Sequence, residues 1–375
     1  MKILITGGAG FIGKWIIEKI PDPIEVMIID SLDPQVHPLS QDFPPELKER
    51  AKCIKADIQS IDVHRDAIEG TDVVIHLAAQ TGTGQSMYEI SKYVQHNANG
   101  TAKLLEQISK LNHKPHRIVL ASSRAVYGEG AYTDGKDVYY PKSRRLADLQ
   151  RGLWEICDRQ GQPLKFLPMR EDHLARPTSV YGLTKLWQEQ LLQNYCDNQK
   201  IDLVTLRFQN VYGPGQELGN PYTGIIGIFT NAIFQGNPLE IFEDGMVTRD
   251  FVFVKDVAEA VVNCALYDQC LSSTINIGSG QAVSLVDVVT TIAELVGKPA
   301  QYTISGRFRV GDIRHAVADM QQYTRLFGQW SPTSLKTGLS QYLAWYLLQK
   351  PLAHVGLQAS LQEMERSGLL LSQQG

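Results

Sequence analysis

The chain has 375 residues, 43% of them hydrophobic and 20% charged, with a formal net charge of −4, the profile of an ordinary globular protein. That balance offers no basic excess to a nucleic-acid partner, and no run of about 18 apolar residues could span a bilayer. Five scattered cysteines (Cys53, Cys157, Cys196, Cys264 and Cys270), without a secretory signal, speak against a disulfide framework and for a cytoplasmic location.

The opening "MKILITGG" is too short for a signal segment and runs into a glycine-rich turn, so Ile3 to Thr6 is predicted as a buried strand. Gly7, Gly10 and Gly13 follow, then a helical pattern with Ile12, Trp15, Ile16 and Ile20 on its apolar face, ended by Pro21. Such glycines allow a tight turn, close approach of a pyrophosphate and close helix–strand packing, while the helix N-terminus offers free N–H groups. The second strand, "EVMIID", ends in Asp30, close to where a carboxylate accepts the ribose hydroxyls of NAD. Asp30 repels a 2′-phosphate, and the following "SLDPQ" supplies no cation for one, so NAD is favoured over NADP.

Further strands are predicted at 52–57, 73–78, 117–122 and 203–208, alternating with helical stretches such as "NANGTAKLLEQISKL". This alternation predicts an α/β chain with a Rossmann-type doubly wound parallel sheet. In such sheets ligands meet residues just beyond the carboxyl ends of the strands, here Asp57, Ala78 to Gln80 and Ser122 to Tyr127.

A Tyr and a Lys four residues apart share one helix face, and the pattern occurs at Tyr88/Lys92, Tyr132/Lys136, Tyr181/Lys185 and Tyr346/Lys350. Tyr88/Lys92 reads as a surface or interface pair. Asp134-Gly135 breaks the second with a turn signal, and Pro351 follows the fourth. Tyr181/Lys185 comes after a helix entrance at Pro177, Thr178 and Ser179, and leads a segment with apolar Leu183, Leu186, Trp187 and Leu191.

Together "TGGAGFIG", Asp30, "ADI" (56–58), "HLAAQ" (76–80), "NANGT" (97–101), "SSRAVYG", "YGLTK", "RFQNVYGPG" (207–215), "GMVTRDFVFVKD" (245–256), "NIGSG" (276–280) and "RVGDIRH" (309–315) resemble the extended short-chain dehydrogenase/reductase family of nucleotide-sugar epimerases and dehydratases over about 1–345. The resemblance implies an NAD-binding domain of 1–208 plus about 251–280, a nucleotide-sugar lobe of 209–250 plus about 281–345, and a C-terminal extension of 346–375. It implies Tyr181 as the base that takes a sugar hydroxyl proton, Lys185 as the ammonium favouring its phenolate and gripping the nicotinamide ribose, and Ser123 as the partner of the reacting oxygen. NAD contacts are implied at Gly7, Gly10, Phe11, Ile12, Gly13, Asp30, Asp57, Ile58, Leu77, Ala78, Ala79 and Asn97, besides Tyr181 and Lys185. Asn210, Arg249 and Arg309 match positions that hold the substrate pyrophosphate, and "LEIF" (239–242) lies where relatives bind a pyrimidine, so dTDP or UDP is expected.

Related 4,6-dehydratases carry an Asp-Glu pair after the catalytic Ser or Thr. Arg124-Ala125 stands there in this chain, which disfavours elimination and leaves C4 epimerisation through a 4-keto sugar. A finer resemblance, in "TGTGQSMYEI" (81–90), "SSRAVYGEGAY" and a long insertion before Tyr181, is to bacterial dTDP-L-rhamnose 4-epimerases, with a role in cell-surface polysaccharide synthesis implied. A UDP-hexose or UDP-uronate 4-epimerase is the alternative; a 4,6-dehydratase or a silent NAD-binding regulator is less favoured. The insertion, about 130–176, either shapes the pocket or decorates the surface; it holds Cys157 but Gln160 where some relatives place a second thiol, so no metal is expected. The apolar stripes near 87–111 and 181–197 either pair two subunits, as in the family's homodimers, or are buried within one subunit.

Overall fold

The computed structural model describes residues 1–38, 42–219, 224–349 and 355–373. Its framework is a parallel sheet of seven strands: β1 (Lys2–Thr6), β2 (Glu25–Asp30), β3 (Lys52–Lys55), β4 (Val73–His76), β5 (Arg117–Ser123), β6 (Asp202–Phe208) and β7 (Ser273–Ile277). Their spatial order is β7-β6-β5-β4-β1-β2-β3, every pairing parallel, so the order reverses between β1 and β4 and opens a crevice at their carboxyl ends. The expected α/β class is therefore present, with β7 as an additional strand.

Strands buried on both faces need apolar cover on both. On one face α1 (Phe11–Lys19) and α4 (Val254–Ala265) pack with Ile3, Ile5, Ile28, Val119 and Val204; on the other α2 (Gly100–Ser109) and α3 (Val180–Gln199) pack with Leu4, Ile29, Ile118 and Leu203. A third core, around Phe229, Phe251, Val288 and Leu339, belongs to a smaller lobe made largely of chain beyond residue 209. Among the described residues no helix is long and apolar enough to cross a membrane.

The glycine turn has a steric cause. Gly7 adopts φ +72, and a Cβ there would lie 2.7 Å from the Ala78 backbone nitrogen, so no side chain fits between β1 and the end of β4. Beside it His76 is wholly buried, its Nδ1 2.7 Å from Thr6 Oγ1 and its Nε2 2.9 Å from Thr101 Oγ1. Burial first, and the Lys185 charge second, drive its pKa down to about 3.

This fixes a pH dependence. Below the unfolded histidine value, near 6.5, the denatured chain binds a proton that native His76 refuses, so stability falls as pH drops from there towards about 3. His76→Gln is expected to remove about 1.4 kcal/mol per pH unit from that slope. Urea titrations between pH 6 and pH 4 measure it; equal slopes in both proteins would refute the assignment.

Candidate active site

The crevice is part of a cavity of about 1730 Å3 that runs on into the second lobe. A pocket for one small ligand takes roughly 300–1,000 Å3, so this one has room for two. Gly7, Gly10, Phe11, Ile12, Gly13, Asp30, Asp57, Ile58, Leu77, Ala78 and Ala79 all line it. The Asp30 carboxylate accepts the N–H groups of Ala9 (3.0 Å) and Leu32 (2.9 Å), which hold it at the carboxyl end of β2 with lone pairs left for ribose hydroxyls.

Asn97 and Lys185 lie behind this wall instead of on it. Asn97 is wholly buried, its Oδ1 accepting the Gln80 N–H at 2.7 Å and its Nδ2 donating to Thr184 Oγ1 at 2.9 Å. It positions the loop after β4. Lys185, one turn deeper on α3 than Tyr181, donates to the Ala121 carbonyl at 2.9 Å. Burial, opposed by Glu189, pulls its pKa down to about 7.

The arrangement distinguishes the four Tyr/Lys pairs. Only Tyr181 and Lys185 share one helix among the described residues. Tyr88 precedes the short helix Ile90–Tyr93, Tyr132 is buried in a strand with its hydroxyl on Glu129, and Lys350 lies outside the described residues. Helix α3 begins at Ser179, whose hydroxyl accepts the Gly182 N–H at 3.1 Å. A Cβ on Gly182 would stand 2.5 Å from the Ala125 carbonyl, so only glycine lets α3 sit this close to the turn that follows β5. That closeness puts Tyr181 beside Ser123 and Arg124, and all three line the cavity. Burial raises the Tyr181 pKa, and the Ser123 hydroxyl, by a hydrogen bond, and the Arg124 charge only partly offset it.

Next to them is a positive cluster. Arg249 donates to Asp312 Oδ1 (2.8 Å) and to the carbonyls of Thr248, Ile313 and Arg314. Arg309 lies 5.1 Å from the centroid of the Phe242 ring, and among the described residues its buried Nε has no hydrogen-bond partner. Arg124 donates from Nε to Asn210 Oδ1 at 3.2 Å. Burial alone would raise the Asp312 carboxyl, yet Arg249, Arg309, Arg144 and Arg124 hold it below its ordinary value. Three cavity-lining guanidiniums around one carboxylate leave surplus positive charge, and the orphaned Arg309 Nε is a donor awaiting an anion. Leu239, Ile241 and Phe242 also line the cavity, Phe242 against Arg309.

Two features escaped the reading of the sequence. Asp312 stands within "RVGDIRH", three residues past Arg309, where its motif could have drawn attention to it. Leu361, Met364 and Leu369, from the C-terminal extension, also line the cavity, and no motif marked them.

These features agree with likenesses found among known proteins. The model of the NAD dependent epimerase/dehydratase family matches residues 3–145 and 159–278, and the chain belongs to that family. It is 41% identical over 352 residues to the dTDP-L-rhamnose 4-epimerase of Burkholderia thailandensis, covering 92% of this chain and 94% of that one. A Bacillus cereus UDP-glucuronic acid 4-epimerase in complex with UDP-4-deoxy-4-fluoro-glucuronic acid and NAD superposes with a TM-score of 0.75 at 27% identity, covering 92% and 98% of the two chains. The Thermotoga maritima UDP-glucose 4-epimerase with UDP-glucose gives 0.74 at 26%, covering 92% and 99%. The class is thereby defined: an NAD-dependent enzyme, a nucleotide-sugar 4-epimerase.

Arg124 is expected to lower the pKa of its neighbour Tyr181. Arg124→Leu should therefore move the rising limb of the kcat–pH profile to higher pH, with a loss of roughly tenfold at neutral pH for each unit moved. An unmoved limb rules out Arg124 as the cation that acts on the phenol.

Proposed function

We propose that this enzyme interconverts dTDP-L-rhamnose and dTDP-6-deoxy-L-talose through a transient 4-keto sugar. The observation that carries the substrate assignment is the 41% identity with the Burkholderia enzyme over nearly the whole of both chains. The site supports the reaction type, because Arg124 and Ala125 follow Ser123 and provide neither the acid nor the base that elimination of water requires.

The residues that fit NAD are the Gly7 turn, the Asp30 carboxylate, Asp57 and Ile58, and Leu77 to Ala79. Bound there, NAD would supply a reversible two-electron acceptor for the hydride at C4. Tyr181, as the phenolate, takes the proton of the C4 hydroxyl and later returns it. The Ser123 hydroxyl donates to the same oxygen and fixes its distance from the base. Lys185 provides a positive charge beneath the phenol, and Arg124 another at its side. Between the two proton transfers the sugar has to turn over while Arg249, Arg309 and Asn210 keep the pyrophosphate clamped. A planar guanidinium suits that task, since it can give two parallel hydrogen bonds to phosphate oxygens.

Arg124 also supports a second reading, a UDP-uronate 4-epimerase, because a cation beside the catalytic tyrosine suits a C6 carboxylate. Proton NMR in D2O with dTDP-L-rhamnose, UDP-glucuronate and UDP-glucose, without added reductant, separates the two. A new 4-epimer of dTDP-L-rhamnose with no deuterium at C3 or C5 is expected; epimerisation of a UDP-sugar alone would transfer the assignment to the second reading. Tyr181→Phe is expected to fold and retain NAD but to lose at least about a hundredfold in kcat, with Tyr88→Phe as control. Near-normal turnover of Tyr181→Phe would sink the mechanism.

We further propose that the enzyme is a homodimer. Leu183 and Trp187, 57% and 50% exposed, lie one turn apart on α3, and Ile90 and Val94 lie one turn apart on the neighbouring helical segment, joined to α3 through an edge-to-face contact of Tyr93 with Tyr181. An apolar ladder of this kind on two adjacent helices fits a self-complementary, two-fold interface. Light scattering should report a dimer for the native chain and a monomer for Trp187→Glu; two monomers would exclude this face as the interface.

A further inference from the structure

The resemblance read from the sequence ends near residue 345, yet the chain beyond it returns to the centre of the molecule. Helix α5 (Val355–Arg366) leads to a short strand, Leu370–Leu371, that pairs antiparallel with Phe308–Arg309, Leu370 opposite Arg309. The next residue, Val310, donates its N–H to the Leu369 carbonyl at 2.9 Å. Through these contacts Leu361, Met364 and Leu369 reach the cavity wall.

Two chains of contacts place them at its sugar end. Met364 Cε lies 3.4 Å from where a Gly84 Cβ would stand, and two residues on Ser86 Oγ accepts the Tyr181 N–H at 3.0 Å. On the other side, Leu369 bonds Val310, and the carbonyl of Gly311 accepts the Thr178 hydroxyl at 3.1 Å, three residues before Tyr181. Met87 and Val310 line the cavity here too, so the tail's Leu361, Met364 and Leu369 add to an apolar strip beside the polar Thr83, Thr178 and Arg309.

The segment is firmly anchored. Glu365 pairs with Arg307, and Leu371 packs on Leu149, Trp154 and Phe308. A Cβ on either Gly152 or Gly306 would collide with Gln373. Leu149, Trp154 and Gly152 belong to the insertion before Tyr181, none of whose residues, among those described, lines the main cavity. The insertion acts on the site from behind, as the seat of the tail.

We propose that residues 360–371 are a sugar-specificity element, in which Leu361, Met364 and Leu369 form an apolar wall against the exocyclic carbon of the sugar and select a 6-deoxyhexose over sugars with a hydroxymethyl or carboxylate at that carbon. The inference rests on the C4-epimerase reading given above and assigns its substrate discrimination to this segment. An apolar wall leaves a hydroxyl without a partner and a carboxylate desolvated, and both are penalised relative to a methyl group.

The test compares the holoenzyme with Met364→Gln, Leu369→Gln and a chain ending at Gln349. NAD content is measured after denaturation, and kcat and KM with dTDP-L-rhamnose, UDP-glucose and UDP-glucuronate. The point variants should keep their NAD, lose about tenfold in kcat/KM for dTDP-L-rhamnose and lose less for the UDP-sugars, so that the preference narrows. The shortened chain should narrow it further. Point variants within about twofold of the parent on every sugar overturn the proposal while leaving the enzymatic reading intact. A parent enzyme that epimerises a UDP-sugar and leaves dTDP-L-rhamnose untouched overturns both, whatever the variants do.

Discussion

The contact between Gly182 and the Ala125 carbonyl governs the geometry of the whole site. Helix α3 can carry a phenol to the rim of the sheet only if its first turn is thin enough to slide under the turn that leaves β5. A methyl group in place of the Gly182 hydrogen would meet that carbonyl at 2.5 Å, far inside contact distance. Behind it the approach is locked by charge. Glu189 on α3 accepts from Ser122 at the end of β5 and pairs with Arg207 on β6 at 2.8 Å. Tyr181 and Lys185 on α3 and Ser123 at the end of β5 therefore belong to two pieces of chain held in one register.

Around this centre the electrostatics are arranged in layers. Arg124 bears on the Tyr181 phenol, Lys185 is held below it on the Ala121 carbonyl, and Arg249 and Arg309 line the cavity beside Asp312. A second layer centres on the buried Arg144, Glu243 and Arg314, with Asp244 and Glu155 reaching partly into solvent. Arg144 forms two 2.7 Å bonds with Glu243, while Arg314 pairs with Asp244 and Glu155 and donates its N–H to Glu129. Buried ion pairs of this kind add little net stability, because desolvation offsets most of the attraction. Their effect is positional: Arg144 and Glu155 come from the insertion, Glu243, Asp244 and Arg314 from the smaller lobe, and the network fixes one against the other.

Legibility in the sequence followed the range of the interactions. The glycine turn, Asp30 and the strands of the sheet were readable because a few neighbouring residues carry each signal, and Tyr181 was selected from four similar pairs by the helix entrance before it and the apolar segment that follows it. Lys185 and Asn97 were readable as residue types in a motif, but not their positions behind the cavity wall, where close packing of α3 and of the loop after β4 places them. The C-terminal extension was opaque for the same reason. Its wall residues are ordinary apolar side chains, Leu361 and Met364 on the helix and Leu369 just after it, and the partners Gly84 and Val310 are more than two hundred positions apart.

The sequence by itself determined the class of fold and the cofactor and singled out Ser123 and Tyr181 as the proposed catalytic pair, since periodicity, glycine placement and short motifs are local properties of the chain. Tertiary structure alone decided which polar groups face the cavity, how three arginines share one carboxylate, and what closes the sugar end. Those outcomes depend on close approach between distant segments, and packing, unlike periodicity, is not written in any one stretch of residues.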